Sequence, residues 1–192
     1  MTEDPLALVR EWCEQAAAAG IPEWDAAALA TAALDGRPSV RFVLIKGVDA
    51  HGVRFFTNYE SRKGRELAAN PRAALAVLWQ PLHRQLRLEG PVQRLSAEES
   101  DAYFASRTVG SRLGAWASRQ GTPIPEDLVL EDRLAELAGR FGAEIPRPGY
   151  WGGYELRPDA VELWEGRPNR LHLRTHFLRE DDGAWRSERL SP

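Results

Sequence analysis

Tight-turn signals punctuate this chain: Asp35-Gly36 with Pro38 beyond it, Asp49 to Gly52, Gly90-Pro91, Gly166-Arg167-Pro168-Asn169 and Asp181-Asp182-Gly183. Short aliphatic and β-branched runs lie between them, and runs this short joined by turns this tight form antiparallel pairs. The pattern predicts strands over residues 27–34, 39–46 and 53–57, read as a meander, and again over 72–79, 84–94, 151–156, 160–164, 170–178 and 185–190. Within 84–94, Leu86 and Leu88 alternate with Gln85, Arg87 and Glu89, so one strand face is apolar and the other polar. Gly90-Pro91 is expected to bend that strand.

Helices fall between the strands. Asp4 before Pro5 sets a cap ahead of Leu6, Val9, Trp12, Cys13 and Ala16, which recur at helical spacing as far as Gly20. Ser61 opens a helix to about residue 70, where Pro71 stops it. Ser96 with Glu99 fits a capping box, a short helix follows over 111–118, and Leu128, Leu130, Leu134, Leu137 and Phe141 form a further stripe. Helices inserted among short antiparallel strands give an α+β class, a small β-barrel with peripheral helices. At 192 residues the chain suits one domain, 1–192.

A net charge of −3 argues against a protein that neutralises many nucleic-acid phosphates at once. Cys13 is the only cysteine, which excludes an intrachain disulfide and a thiol zinc cluster, and His51, His83 and His176 lack metal-ligand spacing. Acidic Glu3 and Asp4 stand where a signal peptide would be basic, and no run of ~18 apolar residues occurs. No membrane partner and a cytoplasmic location are therefore expected. Nor does the chain carry a G-x-G-x-x-G turn, a G-x-x-x-x-G-K-[ST] loop or a G-x-S-x-G elbow.

Two of the 25 basic residues are lysines, Lys46 and Lys63, and both fall in the stretch RFVLIKGVDAHGVRFFTNYESRK from Arg41 to Lys63. Ser61-Arg62-Lys63 sits where a helix begins, so backbone N–H groups, the helix dipole and two cations favour an anion such as phosphate. A capped, solvent-facing helix would show the same tripeptide. Arg41 and Lys46, five apart, point to opposite faces of a regular strand. Tyr103 and Arg107 lie four apart on a helical face with Ser111 just beyond, offering a phenol, a bidentate cation and a hydroxyl suited to a phosphomonoester. The bland alternative is a half-buried Tyr beside a solvated Arg. In Arg170-Leu171-His172-Leu173-Arg174 the alternation puts Arg170, His172 and Arg174 on one strand face, either for an anionic or π-rich ligand or as a solvated edge.

Several segments together resemble the pyridoxine (pyridoxamine) 5′-phosphate oxidase family of flavoproteins over nearly the whole chain: DPLALVREW, RFVLIKG, FFTNYESRKGRELAANPRAAL, RQLRLEGPVQRL, YFASR followed by SRLGAWASRQ, YWGGYEL, VELWEGRPNRLHLR and WRSERLSP. The resemblance implies a split β-barrel homodimer with FMN in each of two interface sites. It also implies FMN contacts at Arg41, Phe42, Val43, Leu44, Ile45 and Lys46, at Phe56 and Thr57, at Arg62 and Lys63 on the phosphate, at Gln85 and Gln120, and at Trp164 and Arg174. Contacts to a phosphorylated pyridine substrate would fall on Lys46, Tyr103, Arg107, Ser111, Arg170 and His172, with Arg170 and His172 holding it over the flavin at the reacting carbon.

The implied activity is oxidation of pyridoxamine or pyridoxine 5′-phosphate to pyridoxal 5′-phosphate, with hydride transfer to flavin N5 and reoxidation by dioxygen to peroxide. Three departures bear on substrate and turnover. Leu173 replaces the acid of R-L-H-[DE]-R, Gly121 follows Gln120 where Ser often stands, and the chain begins almost at its first helix, without the segment that closes over substrate in longer members. The alternatives are a relative that oxidises another ring, as in phenazine biosynthesis, or a non-catalytic protein that binds FMN or pyridoxal phosphate.

Overall fold

The first helix, α1 (Pro5–Ala18), begins where Asp4 caps it, the carboxylate accepting from the Leu6 N–H at 3.0 Å. The computed structural model describes residues 4–126, 128–142 and 144–192. Its strands are β1 (Ala26–Ala32), β2 (Pro38–Leu44), β3 (Gly47–Val48), β4 (Val53–Asn58), β5 (Arg72–Trp79), β6 (Arg84–Arg94), β7 (Trp151–Leu156), β8 (Ala160–Glu165), β9 (Leu173–Arg179) and β10 (Trp185–Leu190). The pairings are antiparallel and run β10-β9-β8-β6-β5-β1-β2, while β4 pairs with β3 and β7. The architecture is the expected α+β split barrel.

The split is made on β6. Its first part, Arg84 to Glu89, pairs with β8, and its last part, Val92 to Arg94, pairs with β7. Gly90 and Pro91 lie between, so the expected bend is a change of partner within one continuous strand. A Cβ at Gly90 would collide with the Arg157 carbonyl and Pro158, where the chain crosses from β7 to β8. Only glycine lets that crossing lie so close.

The two faces of the main sheet differ sharply. On the inner face Leu29, Leu75, Val77, Leu86, Leu88, Val161 and Phe177 pack with Leu6, Val9, Trp12, Cys13 and Ala16 of α1 into the principal core. Since paired residues share a face and neighbours alternate, the pairings put Phe42, Ala28, Ala76, Arg87 and Glu162 in one row of the outer face and Leu78, Gln85, Trp164 and Arg174 in another. That face leaves Val40 68%, Phe42 76% and Leu78 65% exposed.

A second core forms under α3 (Ala97–Ser106), α4 (Val109–Ala117) and α5 (Leu130–Phe141), from Phe104, Leu113, Leu137, Ile145 and Trp151. The capping box at Ser96 and Glu99 is present. The helix α2 (Arg62–Ala69) starts at Ser61, whose hydroxyl accepts from the Gly64 N–H. Among the described residues no helix is long and apolar enough to cross a membrane.

Four expectations are corrected. The strand predicted over 170–178 begins at Leu173, because Pro168–Arg170 form a 3-10 turn in which Asn169 (φ 55°) and Arg170 (φ 61°) are left-handed, so Arg170, His172 and Arg174 do not alternate on one strand face. Pro168 and Asn169 favour a turn that the Arg-x-His-x-Arg alternation concealed. Arg107 is not helical but caps the end of α3 in an extended conformation (ψ 154°), so it does not share a helical face with Tyr103. The next helix starts at Val109, capped by Thr108. Finally, β2 ends at Leu44 and leaves Lys46 beyond the strand, so the opposite-face argument for Arg41 and Lys46 does not apply.

Candidate functional site

A cleft of ≈ 770 Å³ opens between β2, β4, the start of α2 and the α3–α4 segment. That volume lies within the ~300–1,000 Å³ usual for small-molecule sites. From the stretch around Arg41 it receives Phe42, Val43, Leu44 and Lys46, then Phe56 and Thr57 from β4, and Lys63 from α2. Tyr103, Arg107, Ser111 and Gln120 line it too. The structure thus gathers the Lys63 group and the Tyr103, Arg107, Ser111 group, far apart in sequence, around one cavity.

Lys63 is buried, and its ammonium donates to Thr57 Oγ1 and Gln120 Oε1, each at 3.1 Å. Burial, with the charge of Arg41 nearby, pulls its pKa down to about 8. The close seat of α2 depends on Gly64, where a Cβ would strike the Tyr59 backbone. At the other group, Arg107 lies 4.7 Å over the Trp151 ring and 5.6 Å from that of Phe104. Its Nη1 is buried without a hydrogen-bond partner among the described residues, and burial lowers its pKa. Phe56, Tyr103 and Trp151 lie near parallel to one another, Phe56 and Tyr103 with centroids 3.8 Å apart. The Thr108 hydroxyl caps α4 and donates to Ser111 Oγ at 2.9 Å.

Carboxylates separate the remaining cations from this pair. Lys46, on the cleft wall, meets Asp25 at 2.6 Å. Arg41 and Arg62 do not line the cleft and share Glu66, at 3.3 and 2.9 Å. Burial would raise the Glu66 pKa, but hydrogen bonds from Ser39 and Thr31, both 2.5 Å, and from Arg62 hold it near 2. Ile45 is buried in the principal core. Lys63 and Arg107 are the cleft cations with no carboxylate partner among the described residues.

Gln85, Trp164, Arg170, His172 and Arg174 lie elsewhere, at the β6–β8–β9 end of the sheet. Gln85 and Trp164 are paired neighbours, as are Trp164 and Arg174. The Trp164 and His172 rings are 4.6 Å apart, and His172 Nδ1 accepts from the Arg167 N–H at 3.2 Å. Arg174 is clamped by Glu162 at 2.7 and 3.1 Å, and Glu162 also takes Arg87 at 3.1 Å. Glu162 therefore supplies to Arg174 the carboxylate that Leu173 does not. Arg170 is exposed. Three strands, β6, β5 and β1, stand between β8 and β2, about 19 Å along the sheet at the usual ~4.8 Å spacing. One chain does not bring the two groups together.

Sequence reasoning assigned no role to Asp25, Glu66, Trp151 or Glu162. Glu66 could have been suspected from its i+4 spacing to Arg62; Trp151 stood inside a quoted motif but gave no chemical signal of its own.

Comparison with known proteins agrees along the chain. A family model described as pyridoxamine 5′-phosphate oxidase matches residues 13–141, and one described as the pyridoxine 5′-phosphate oxidase C-terminal dimerisation region matches residues 151–192. Pyridoxine/pyridoxamine 5′-phosphate oxidases of Cupriavidus pinatubonensis and Bordetella petrii are 54% and 55% identical, each alignment covering 98% of this chain and 89% of the relative. The crystal structure of PhzG from Burkholderia lata, in complex with tetrahydrophenazine-1-carboxylic acid, superposes with a TM-score of 0.94 at 33% identity, covering 98% of this chain and 93% of that one. A pyridoxamine 5′-phosphate oxidase-related, FMN-binding protein of Nostoc punctiforme shares the fold, with a TM-score of 0.81 at 19% identity over the whole of both chains.

Proposed function

This chain belongs to the pyridoxamine 5′-phosphate oxidase family, and from that premise we propose that it is an FMN-dependent oxidase converting pyridoxamine or pyridoxine 5′-phosphate to pyridoxal 5′-phosphate. The observation that carries the reading is the pair of uncompensated cations in one cleft, Lys63 and Arg107, held on different elements. A buried charge with no counter-charge is costly unless a ligand supplies one. Two such charges in a cleft of this size fit a cofactor phosphate and a substrate phosphate.

The residues present fit FMN. Lys63 is buried at the start of α2 with only neutral hydrogen-bond acceptors, where backbone N–H groups also favour an anion. Thr57 and Gln120 hold the ammonium in place, and Phe42, Val43 and Leu44 offer edge and apolar contact for a ring. When bound, the flavin would accept a hydride at N5 and pass both electrons to dioxygen, so that amine, dioxygen and water give aldehyde, ammonia and hydrogen peroxide. Arg107, Tyr103 and Ser111 would hold the substrate phosphate, and Lys46, released from Asp25, would reach it from the other wall.

Arg170 and His172 would orient the reacting carbon from a second subunit. Both the cleft-side strand β2 and the Trp164–Arg174 group lie on the outer sheet face, whose apolar stripe of Val40, Phe42 and Leu78 is exposed. A two-fold copy packed on that face would set one subunit's β8–β9 end over the other's cleft, giving a homodimer with two equivalent sites. The match of residues 151–192 to a dimerisation region supports the arrangement.

The purified protein should be yellow or take up FMN, and should form peroxide and aldehyde from either vitamer phosphate. A protein that takes up no FMN contradicts the assignment. The similarity to PhzG favours a second reading, oxidation of a reduced phenazine-type ring; bound flavin, no turnover of either vitamer and turnover of such a ring would establish it instead.

A further inference from the structure

Arg107 is held by aromatic rings and has no carboxylate partner among the described residues. Arg41 and Arg62 meet Glu66, Arg87 and Arg174 meet Glu162, and Arg54, Arg72 and Arg186 on other strands also meet carboxylates. Arg107 instead has its guanidinium carbon 4.7 Å over the centroid of an indole ring. That indole is itself fixed from several sides. Trp151 is 8% exposed and opens β7 opposite Asn58. Its carbonyl accepts from Arg147 Nη1 at 2.6 Å, and its ring meets Phe104 edge-on at 5.1 Å. Phe56 and Tyr103 stack parallel to it.

A carboxylate in this place would locate the guanidinium equally well, but it would consume the N–H groups and cancel the charge. An aromatic face attracts the cation electrostatically and takes no N–H in the guanidinium plane. Arg107 thus keeps its place while Nη1, buried, is left without a hydrogen-bond partner among the described residues. Extended backbone at the end of α3 does not constrain so long a side chain by itself.

We propose that Trp151 is a positioning residue for substrate: its indole face holds the Arg107 guanidinium in place without neutralising it, and so sets affinity for the substrate phosphate. The proposal rests on the reading of Arg107 as the substrate-phosphate receptor. Trp151 acts through Arg107 and acts on binding, not on the chemical step.

The test is a double-mutant cycle on the FMN-saturated enzyme with pyridoxamine 5′-phosphate. Trp151→Leu should raise KM about five- to thirtyfold, the range of a partly to fully desolvated cation–π contact, with kcat within about twofold and the bound-flavin spectrum unchanged. Trp151→Phe, which keeps a weaker π face, should recover much of that loss. In an Arg107→Ala background, Trp151→Leu should have no further effect on KM. Equal effects of Trp151→Leu with and without Arg107, or a fall in kcat with KM unmoved, would overturn the proposal, since either is what loss of packing alone produces. If Trp151→Leu does not fold, the same cycle with Trp151→Phe decides, its smaller rise in KM vanishing without Arg107. Should Arg107→Ala itself leave KM unchanged, the phosphate reading fails, and that result is distinct from the failure of Trp151 alone.

Discussion

The cleft and the strands beside it treat positive charge in opposite ways. At Glu66 and Glu162 each buried carboxylate gathers two arginines, so those clusters are complete within one chain. In the cleft, Lys63 rests on a hydroxyl and an amide, and Arg107 on an indole. The first arrangement ties strands and helix together; the second leaves charge available at the expense of ligand-free stability. Clusters built from the same residue types are thus distinguished by their partners, and the partners separate structural charge from receptive charge.

The largest effect that would sharpen this contrast is on stability. Glu66→Ala leaves Arg41 without its carboxylate and removes acceptors from Thr31 and Ser39, and should cost about 3 kcal/mol in urea unfolding, as for a broken buried pair. Lys63→Met, by contrast, should leave the ligand-free protein as stable or more stable, because it removes an unpaired buried charge. A comparable loss in both variants would break the distinction.

Next come the ligand constants. Lys63→Ala should weaken FMN by roughly ten- to 150-fold, the ~1.5–3 kcal/mol of a charge-assisted hydrogen bond. Arg62→Ala should weaken it far less, since Arg62 is 63% exposed and engaged with Glu66, an i,i+4 pair of only about 0.3–0.5 kcal/mol. Equilibrium titration of the flavin-free protein measures both.

Smaller, and dependent on sign, are the pH effects. Lys63 has a folded pKa below its unfolded value, so the unfolded chain binds more protons between about pH 8 and 10.5, and ligand-free stability gains from this residue as pH rises through that window. FMN affinity should fall over the same rise, as the ammonium loses its proton, and Lys63→Met should abolish that dependence. The Glu66 contribution has the same sign in a lower window: present above about pH 4.5, it is lost as pH falls toward 2. Denaturant midpoints against pH check both signs.

Most of the architecture was legible because periodicity and turn chemistry are local. The caps at Asp4, Ser61 and Ser96, the Asp35-Gly36 hairpin and the alternation in β6 all form as their residues dictate. What failed was set by single dihedrals. Arg-x-His-x-Arg reads as strand by alternation, yet Pro168 and Asn169 fix a turn that carries Arg170 into a left-handed conformation. Likewise Tyr103 and Arg107 satisfy helical spacing, but α3 stops at Ser106. Of the site, residue types and spacing disclosed two anion-seeking groups and left open whether either was more than a solvated surface. They did not disclose which cations are already neutralised, because Glu66 lies 25 residues from Arg41 and Glu162 lies 75 from Arg87. Nor could spacing show that the Trp164–Arg174 group lies apart from the cleft within one chain; that is a property of strand order.

If Lys63 and Arg107 receive two different phosphates, a crossed pair of variants separates them. FMN dissociation constants, and KM for pyridoxamine 5′-phosphate at saturating FMN, should be measured for Lys63→Ala and Arg107→Ala. A crossed result is expected, with Lys63→Ala shifting the FMN constant and leaving KM within about twofold, and Arg107→Ala raising KM about tenfold or more with FMN affinity unchanged. If both variants shift the same constant to a similar degree, the cleft holds one anion site, not two.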